Sequence, residues 1–213
     1  MPVLPHDEFV ERRARMVDTQ LRARGILDAK ALGAMARVER HRFVPERDLD
    51  RAYGDHPIDI GFGQTISQPY IVAFMTEALA LDDDSRVLEI GSGSAYQTAV
   101  LAEIAREVYS VEVVPEHAAR AERLLRELGY ANVQVRLGDG YAGWPEAAPF
   151  DGIIVTAAPD HVPQPLVDQL KPGSRLVVPV GRGEQDLLVL TRTAHGLREE
   201  QRLAVRFVPL VRR

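Results

Sequence analysis

The stretch Val87-Leu88-Glu89-Ile90-Gly91-Ser92-Gly93-Ser94-Ala95-Tyr96 decides the fold. Its first four residues read as a buried strand, Gly91 and Gly93 as a tight turn, and Ala95 as the start of a helix reaching about residue 105. A strand that runs through a glycine turn into a helix makes a ligand pocket at its carboxyl end. The two glycines let the backbone approach that ligand without side-chain interference. A dinucleotide-binding turn carries a third glycine where Tyr96 stands, so NAD and FAD are disfavoured.

Downstream the same rhythm repeats. Residues 108–111 read as a second strand, followed by a helix from Pro115 that ends before Gly129. Residues 133–137 form a third strand and 152–155 a fourth, the latter a near-continuous apolar run of the kind that suits a strand covered on both faces. A short helix finishes at 166–170, Pro172-Gly173 turns the chain, and 176–180 is a fifth strand. Residues 186–193 and 201–210 read as an antiparallel pair. Alternating strands and helices predict an α/β fold, a doubly wound and mostly parallel Rossmann-like sheet.

Upstream the pattern is helical. Phe9, Met16, Val17 and Leu21 mark an apolar stripe over 7–24, with Gly25 as its stop. Asp28 is placed to cap a second helix that turns Ala31, Leu32, Met35 and Val38 inward. Between His41 and Gln68 the pattern loosens, with Pro45, Pro57 and several glycines, which predicts a functional loop rather than a passive connector. Pro69 then opens a helix through Ala80 whose buried face is Ile71, Val72, Met75 and Leu79. We expect one domain over 1–213: a helical extension and loop (1–68) before a Rossmann-like core with C-terminal strands (69–213).

Glu112 closes the second strand about twenty residues after the glycine turn, where a carboxylate can accept hydrogen bonds from ribose hydroxyls. Gly138-Asp139-Gly140 lies at another strand end, where a carboxylate and a free amide can face an adenine edge. Singly, each has a plainer reading: Glu112 as a solvated strand end, Asp139-Gly140 as a turn dipeptide. Together they describe a site for ribose and adenine without a diphosphate, which fits S-adenosylmethionine.

Composition narrows the alternatives. The chain has 213 residues, is 46% hydrophobic, carries a formal net charge of -5 and contains no cysteine. It is long enough for a substantial core. The negative balance argues against a nucleic-acid partner, no apolar run approaches membrane-spanning length, and the start has no signal-peptide core. Absence of cysteine removes disulfides and thiolate chemistry. His41 and His161 show no metal-ligand spacing, so no metal is assigned; His56 can contact a substrate from its loop, but reads first as a surface or packing residue. We expect a cytoplasmic protein.

Several longer blocks are more specific than the glycine turn: Arg42-Phe43-Val44-Pro45, Gly63-Gln64-Thr65-Ile66-Ser67-Gln68-Pro69-Tyr70, Gln169-Leu170-Lys171-Pro172-Gly173 and Phe207-Val208-Pro209-Leu210. With Val87 to Ser94 and Gly138-Asp139-Gly140 they make the chain resemble the protein-L-isoaspartate O-methyltransferase family over nearly its whole length. The resemblance implies methyl transfer from S-adenosylmethionine to the free α-carboxylate of L-isoaspartyl residues in damaged proteins or peptides, leaving S-adenosylhomocysteine. The ester then collapses to a succinimide whose hydrolysis partly restores aspartate. It implies Ser67 as the active-site serine. Cofactor contacts are implied at Gln64, Thr65, Ile66, Ser67, Glu89, Gly91, Ser92, Gly93, Glu112, Asp139 and Gly140, and closure over substrate near Val208. It also implies a monomer. Two departures stand out: Ala95 replaces the usual glycine, and the chain ends Leu210-Val211-Arg212-Arg213 without the polar residue that often follows. A methyl group at 95 strains the turn if that position needs a positive φ, and is harmless if the residue is already helical.

The chemistry makes few demands. A carboxylate of pKa about 4 is already ionised at neutral pH, so Ser67 has no proton to remove. The chain has no Gly-x-Ser-x-Gly elbow for an acylating serine. In-line approach and exclusion of water are what remain. We expect the Ser67 hydroxyl and nearby amides to hold the attacking carboxylate, with Ile66 and Val208 as walls of the peptide site. The plainer reading of Ser67 is a cap for the helix at Pro69. Rival functions are a methyltransferase that tailors aspartate in one dedicated peptide, a catalytically silent S-adenosylmethionine-binding module, and, more distantly, a dehydrogenase.

Overall fold

The computed structural model describes residues 6–212; residues 1–5, where the expected extension begins, and Arg213 lie outside the described residues. The extension forms α1 (His6–Arg15), which continues through a π-helical turn over Met16–Leu21 and a 3-10 turn over Arg22–Arg24. Gly25 ends it at φ 93°. In α2 (Ala29–Arg37) Asp28 is the cap: its carboxylate accepts from the Ala31 amide at 2.6 Å. The loosened segment that follows is not structureless. It holds two 3-10 turns and a hairpin of β1 (Ile58–Gly61) and β2 (Gln64–Ile66), paired with Ile58 opposite Ile66. At the hairpin's tip Phe62 stands edge-on to the His117 ring, 5.3 Å between centroids. Pro69 then begins α3 (Pro69–Leu79), whose missing N–H costs nothing in the first turn.

The core follows as β3 (Arg86–Ile90), α4 (Tyr96–Ala102), β4 (Glu107–Glu112), α5 (Pro115–Glu127), β5 (Val133–Leu137), β6 (Phe150–Val155), α6 (Gln164–Gln169), β7 (Leu170–Val180), β8 (Gln185–Thr193) and β9 (Gly196–Val205). The sheet order is β5-β4-β3-β6-β7-β8-β9, parallel from β5 to β7, with β8 antiparallel to both neighbours. Both faces of β3 are covered: Val87 joins the apolar cluster that includes Phe9, Leu21, Phe43 and Tyr96, whereas Leu88 and Ile90 join one with Tyr109, Phe150 and Leu166. The first cluster draws on the extension and the sheet alike, so α1, α2 and α3 share one core with β3 and β4.

Two of the C-terminal strands differ from the sequence reading. Pro172-Gly173 does not end an element but lies inside β7, where the pairing steps from Phe150 opposite Leu170 to Gly152 opposite Arg175, so the extra β7 residues bulge outward. The last strand is 196–205, not 201–210. Its polar start, Gly196-Leu197-Arg198-Glu199-Glu200, hides an edge strand that pairs on one side only. The freed segment 206–210 crosses to the carboxyl end of β6. There the Ala158 amide donates to the Val208 carbonyl and the Leu210 amide to the Ala158 carbonyl, each at 2.8 Å.

Candidate active site

Strands β4 and β5 lie to one side of β3, and β6 with the remaining strands to the other. Loops leaving β3 and β6 therefore diverge, and a crevice opens at their carboxyl ends. It is a cleft with about 800 Å³ of space free of protein atoms, counted together with the open solvent at its mouth. Gln64, Thr65, Ile66 and Ser67 of the hairpin, Gly91, Ser92 and Gly93 of the turn, and Glu112, Gly140 and Val208 all line it. Glu89 and Asp139 stand outside that lining.

The turn after β3 is held by a residue that sequence reasoning missed. Thr156, directly after β6, donates its hydroxyl to the carbonyls of Gly91 at 2.7 Å and Ile90 at 3.0 Å. A Cβ on Gly91, whose φ is 97°, would lie 2.4 Å from that hydroxyl oxygen. The signal was a lone polar residue ending the apolar run of β6. Ala95 is not helical. It sits at φ 70°, ψ 7° immediately before α4, the left-handed region in which a Cβ is strained. Its methyl is fully buried in the first cluster. Strain of about 1–2 kcal/mol is thus opposed by about 0.8 kcal/mol for burying the methyl and about 0.4–1 kcal/mol of backbone entropy that glycine would lose. The terms nearly cancel, which accounts for alanine here. We expect Ala95→Gly to change unfolding free energy by less than about 1 kcal/mol, and Ala95→Val, β-branched and enclosed, to destabilise severely; urea titration of both tests this.

Glu112 ends β4 with its carboxylate buried. Oε2 accepts from the Gly93 amide at 2.7 Å, and Oε1 from the Val113 and Val114 amides at 2.9 Å each. A carboxylate has about four acceptor positions, so the cradle leaves one open, on Oε2. Glu89 lies deeper and is fully buried. Its Oε2 accepts from Thr98 at 2.6 Å and Ser110 at 2.5 Å, and Oε1 has no partner. Because the Ser110 proton is committed to Glu89, the 2.6 Å contact between Ser92 and Ser110 is a donation from Ser92. Ser92 lines the cleft, so Glu89 acts on the turn through two hydroxyls.

Burial raises the Glu89 pKa to about 7, with Glu112 adding to the rise and the Ser110 and Thr98 hydroxyls opposing it. The folded state therefore holds this proton more tightly than the unfolded chain, whose carboxyl titrates near 4.5. The resulting stability is complete below pH 4.5 and is lost as pH rises to about 7. Glu89→Gln mimics the protonated side chain. Its stability relative to the parent should rise between pH 5 and pH 8, measured as the difference in urea midpoints. An unchanged difference would show that Glu89 does not titrate in this range.

Asp139 uses Oδ1 to accept from the Tyr141 amide at 2.9 Å, which shapes the loop after β5. A Cβ on Gly140 would lie 2.4 Å from Ile90 Cγ2, so this residue must be glycine for the loop to close on the cleft. Ser67 does not cap α3. Gln68 occupies the cap position, no side-chain cap bond forms, and the Ser67 hydroxyl has no hydrogen-bond partner among the described residues. Gln68 instead donates to Asp55 at 2.7 Å, and Arg24 pairs with the same carboxylate. On the cleft's other flank Arg40, fully buried, donates to the Ala52 carbonyl at 2.8 Å and lies over the Tyr96 ring at 4.8 Å. Burial lowers its pKa to about 10. Tyr96 lines the cleft, so this arginine fastens the extension to the cleft wall. Nothing in the sequence marks it as buried.

A second, more open groove runs beside the first between Pro57, Ile71 and residues 204–208. Thr65, Ser67, Thr156 and Val208 line both. Val208 reaches this junction because the chain leaves the sheet after β9. The arrangement provides a cleft lined by the glycine turn on one side, an open groove on the other, and an unengaged hydroxyl between them. Among the described residues no cluster of His, Asp or Glu is arranged to hold a metal, and no helix is long and apolar enough to cross a membrane.

Comparison with known proteins agrees with this geometry. The protein-L-isoaspartate(D-aspartate) O-methyltransferase family profile matches residues 11–213. The chain is 59% identical over 199 residues to a protein-L-isoaspartate O-methyltransferase of Gloeobacter violaceus, covering 92% of this chain and 97% of that one. It is 60% identical over 190 residues to another from Anaeromyxobacter dehalogenans, covering 87% and 91%. A solved protein-L-isoaspartate O-methyltransferase superposes with a TM-score of 0.85 at 32% identity, over 92% of this chain and 65% of that longer one. A Plasmodium falciparum structure, described as a candidate enzyme of this kind and solved with S-adenosyl-L-homocysteine, gives 0.82 at 26% identity over 94% and 99%. The chain belongs to the protein-L-isoaspartate(D-aspartate) O-methyltransferase family.

Proposed function

We propose that this chain transfers the methyl group of S-adenosylmethionine to the free α-carboxylate of L-isoaspartyl residues in damaged proteins and peptides, releasing S-adenosylhomocysteine. The observation that carries the reading is the junction of cleft and groove at Thr65, Ser67, Thr156 and Val208. The cleft's residues fit the cofactor: Glu112 has an acceptor position for a ribose hydroxyl, and the turn 91–93 lines the cleft beside it. Glu112, the turn 91–93 and Gly140 would hold the nucleoside, with Gln64, Thr65 and Ile66 closing over it. Asp139 and Glu89 support this set from outside the lining.

When bound, the cofactor supplies an electrophilic methyl group on a positively charged sulfur. Ser67, with its hydroxyl unengaged at the junction, donates to the incoming carboxylate and fixes its direction. No base is needed, because the nucleophile is ionised at neutral pH. Thr156 keeps the turn and the groove in register by holding the Gly91 carbonyl from the groove side. Val208 walls the junction, while Ile66, expected beside the peptide, lines only the cleft; together they exclude water, which strengthens the attraction between carboxylate and sulfonium. An isoaspartyl linkage presents its carboxylate on a short branch from a lengthened main chain, and the groove admits that branch at Ser67.

The test is incubation with methyl-labelled S-adenosylmethionine and two peptides that differ only in an aspartyl or an isoaspartyl linkage. Label confined to the isoaspartyl peptide is expected; equal labelling, or none, contradicts the reading. Ser67→Ala should lower kcat by about tenfold to a hundredfold, with cofactor affinity changed far less. Full turnover at unchanged peptide KM would remove the positioning role. The same reading takes 1–213 as one domain and the protein as a cytoplasmic monomer without nucleic-acid partners. The net charge of -5 supports the last point, and a dimer on size-exclusion chromatography would contradict the monomer.

A further inference from the structure

The groove beside Ser67 has one charged residue in its lining, Arg206. It is exposed, and among the described residues it makes no ion pair and no hydrogen bond. Its neighbours are different. Arg202 binds Asp186 and Glu199, Arg198 binds Glu200, and Arg182 binds Asp160 at 2.6 Å. Asp160, Asp186, Glu199 and Glu200 are thus already engaged, Glu184 forms no ion pair with Arg206, and the Arg206 charge is left uncompensated. Its sign is opposite to that of the molecule, whose formal net charge is -5.

Arg206 stands two residues before Val208, which lines both cavities at the junction. Two residues span at most about 7 Å of chain, so the guanidinium falls beside peptide residues one or two places from the reacting branch. We propose that Arg206 selects among isoaspartyl substrates, favouring those with a carboxylate side chain flanking the isoaspartyl residue over those with a cation there. This rests on the function proposed above. The cleft is not involved, because Arg206 is absent from its lining.

The contact is solvent-exposed, so the preference is modest and salt-sensitive. An exposed ion pair and the matching like-charge repulsion together give about a fivefold difference in kcat/KM at low salt. It shrinks as the screening length falls to about 10 Å at 0.1 M and further beyond.

The experiment uses three isoaspartyl peptides with Glu, Gln or Lys as the flanking residue, on each side in turn. Each is assayed with the parent enzyme, Arg206→Gln and Arg206→Glu, at low and at high salt. The reading is the Glu-to-Lys ratio of kcat/KM within each protein, so a loss of folded enzyme cancels. We expect about fivefold in favour of Glu for the parent at low salt, a ratio near one for Arg206→Gln, a reversed ratio for Arg206→Glu, and convergence at high salt. A parent ratio of one, or the same ratio in the parent and Arg206→Gln, overturns the selectivity while leaving the methyltransferase reading standing. No methylation of even the Gln peptide by the parent overturns both.

Discussion

Gly91→Ala should reduce kcat/KM at least a hundredfold and lower the melting temperature by on the order of 10 °C. Two effects add. A left-handed φ of 97° costs an alanine about 1–2 kcal/mol. Its Cβ, 2.4 Å from the Thr156 hydroxyl oxygen, then meets an atom that cannot swing away without losing its bonds to the Ile90 and Gly91 carbonyls. Overpacking of that kind adds about 1–3 kcal/mol. Relief of the clash moves the turn, and a displacement of about 1 Å at the cofactor is enough for a hundredfold loss. Combining Gly91→Ala with Thr156→Ala removes the obstructing oxygen, so part of the melting temperature should return while activity stays low. Purely additive losses in that double-mutant cycle would separate the two residues.

Glu112→Gln should weaken S-adenosylmethionine binding by about tenfold to a hundredfold, read by calorimetry, with circular dichroism unchanged. The carboxylate accepts from three backbone amides through its two oxygens. An amide has only one such oxygen. With that oxygen toward Val113 and Val114, the new NH2 faces the Gly93 N–H, and the flipped rotamer loses two bonds instead of one. Each lost charge-assisted bond is worth about 1.5–3 kcal/mol. The Gly93 amide belongs to the turn proposed to hold the cofactor, so the damage should appear in affinity before it appears in folding. Unchanged affinity would mean that this cradle supports the sheet alone.

The parallel units were legible because their signals are local. The near-continuous apolar run of β6, Pro115 and Gly129 at the ends of the helix between β4 and β5, and the Asp28 cap each act over a few residues. The site was legible at Gly91 as a position that needs glycine, although its missing Cβ makes room for the Thr156 hydroxyl oxygen rather than for a ligand. It was hidden where it depends on where distant chain ends meet. No local pattern reveals that 206–210 leaves the sheet to bond Ala158, which is what carries Val208 to Ser67. The β1–β2 hairpin carries no strand signal in the sequence because its strands are short, and its tip, Gly61-Phe62-Gly63, takes positive φ throughout. Ala95 shows the same limit: sequence marks the substitution, but only its backbone angles place it outside the helix. Arg40 is hidden for a physical reason too, since charged residues are almost never fully buried.

A crystal structure with S-adenosylhomocysteine and an isoaspartyl hexapeptide bears most directly on the junction at Ser67. The peptide should lie along the groove of Pro57, Ile71 and residues 204–208. Its α-carboxylate should sit within hydrogen-bonding distance of the Ser67 hydroxyl and face the cofactor sulfur. A peptide bound with that carboxylate away from Ser67, or a nucleoside bound outside the Glu112 cradle, would contradict the account.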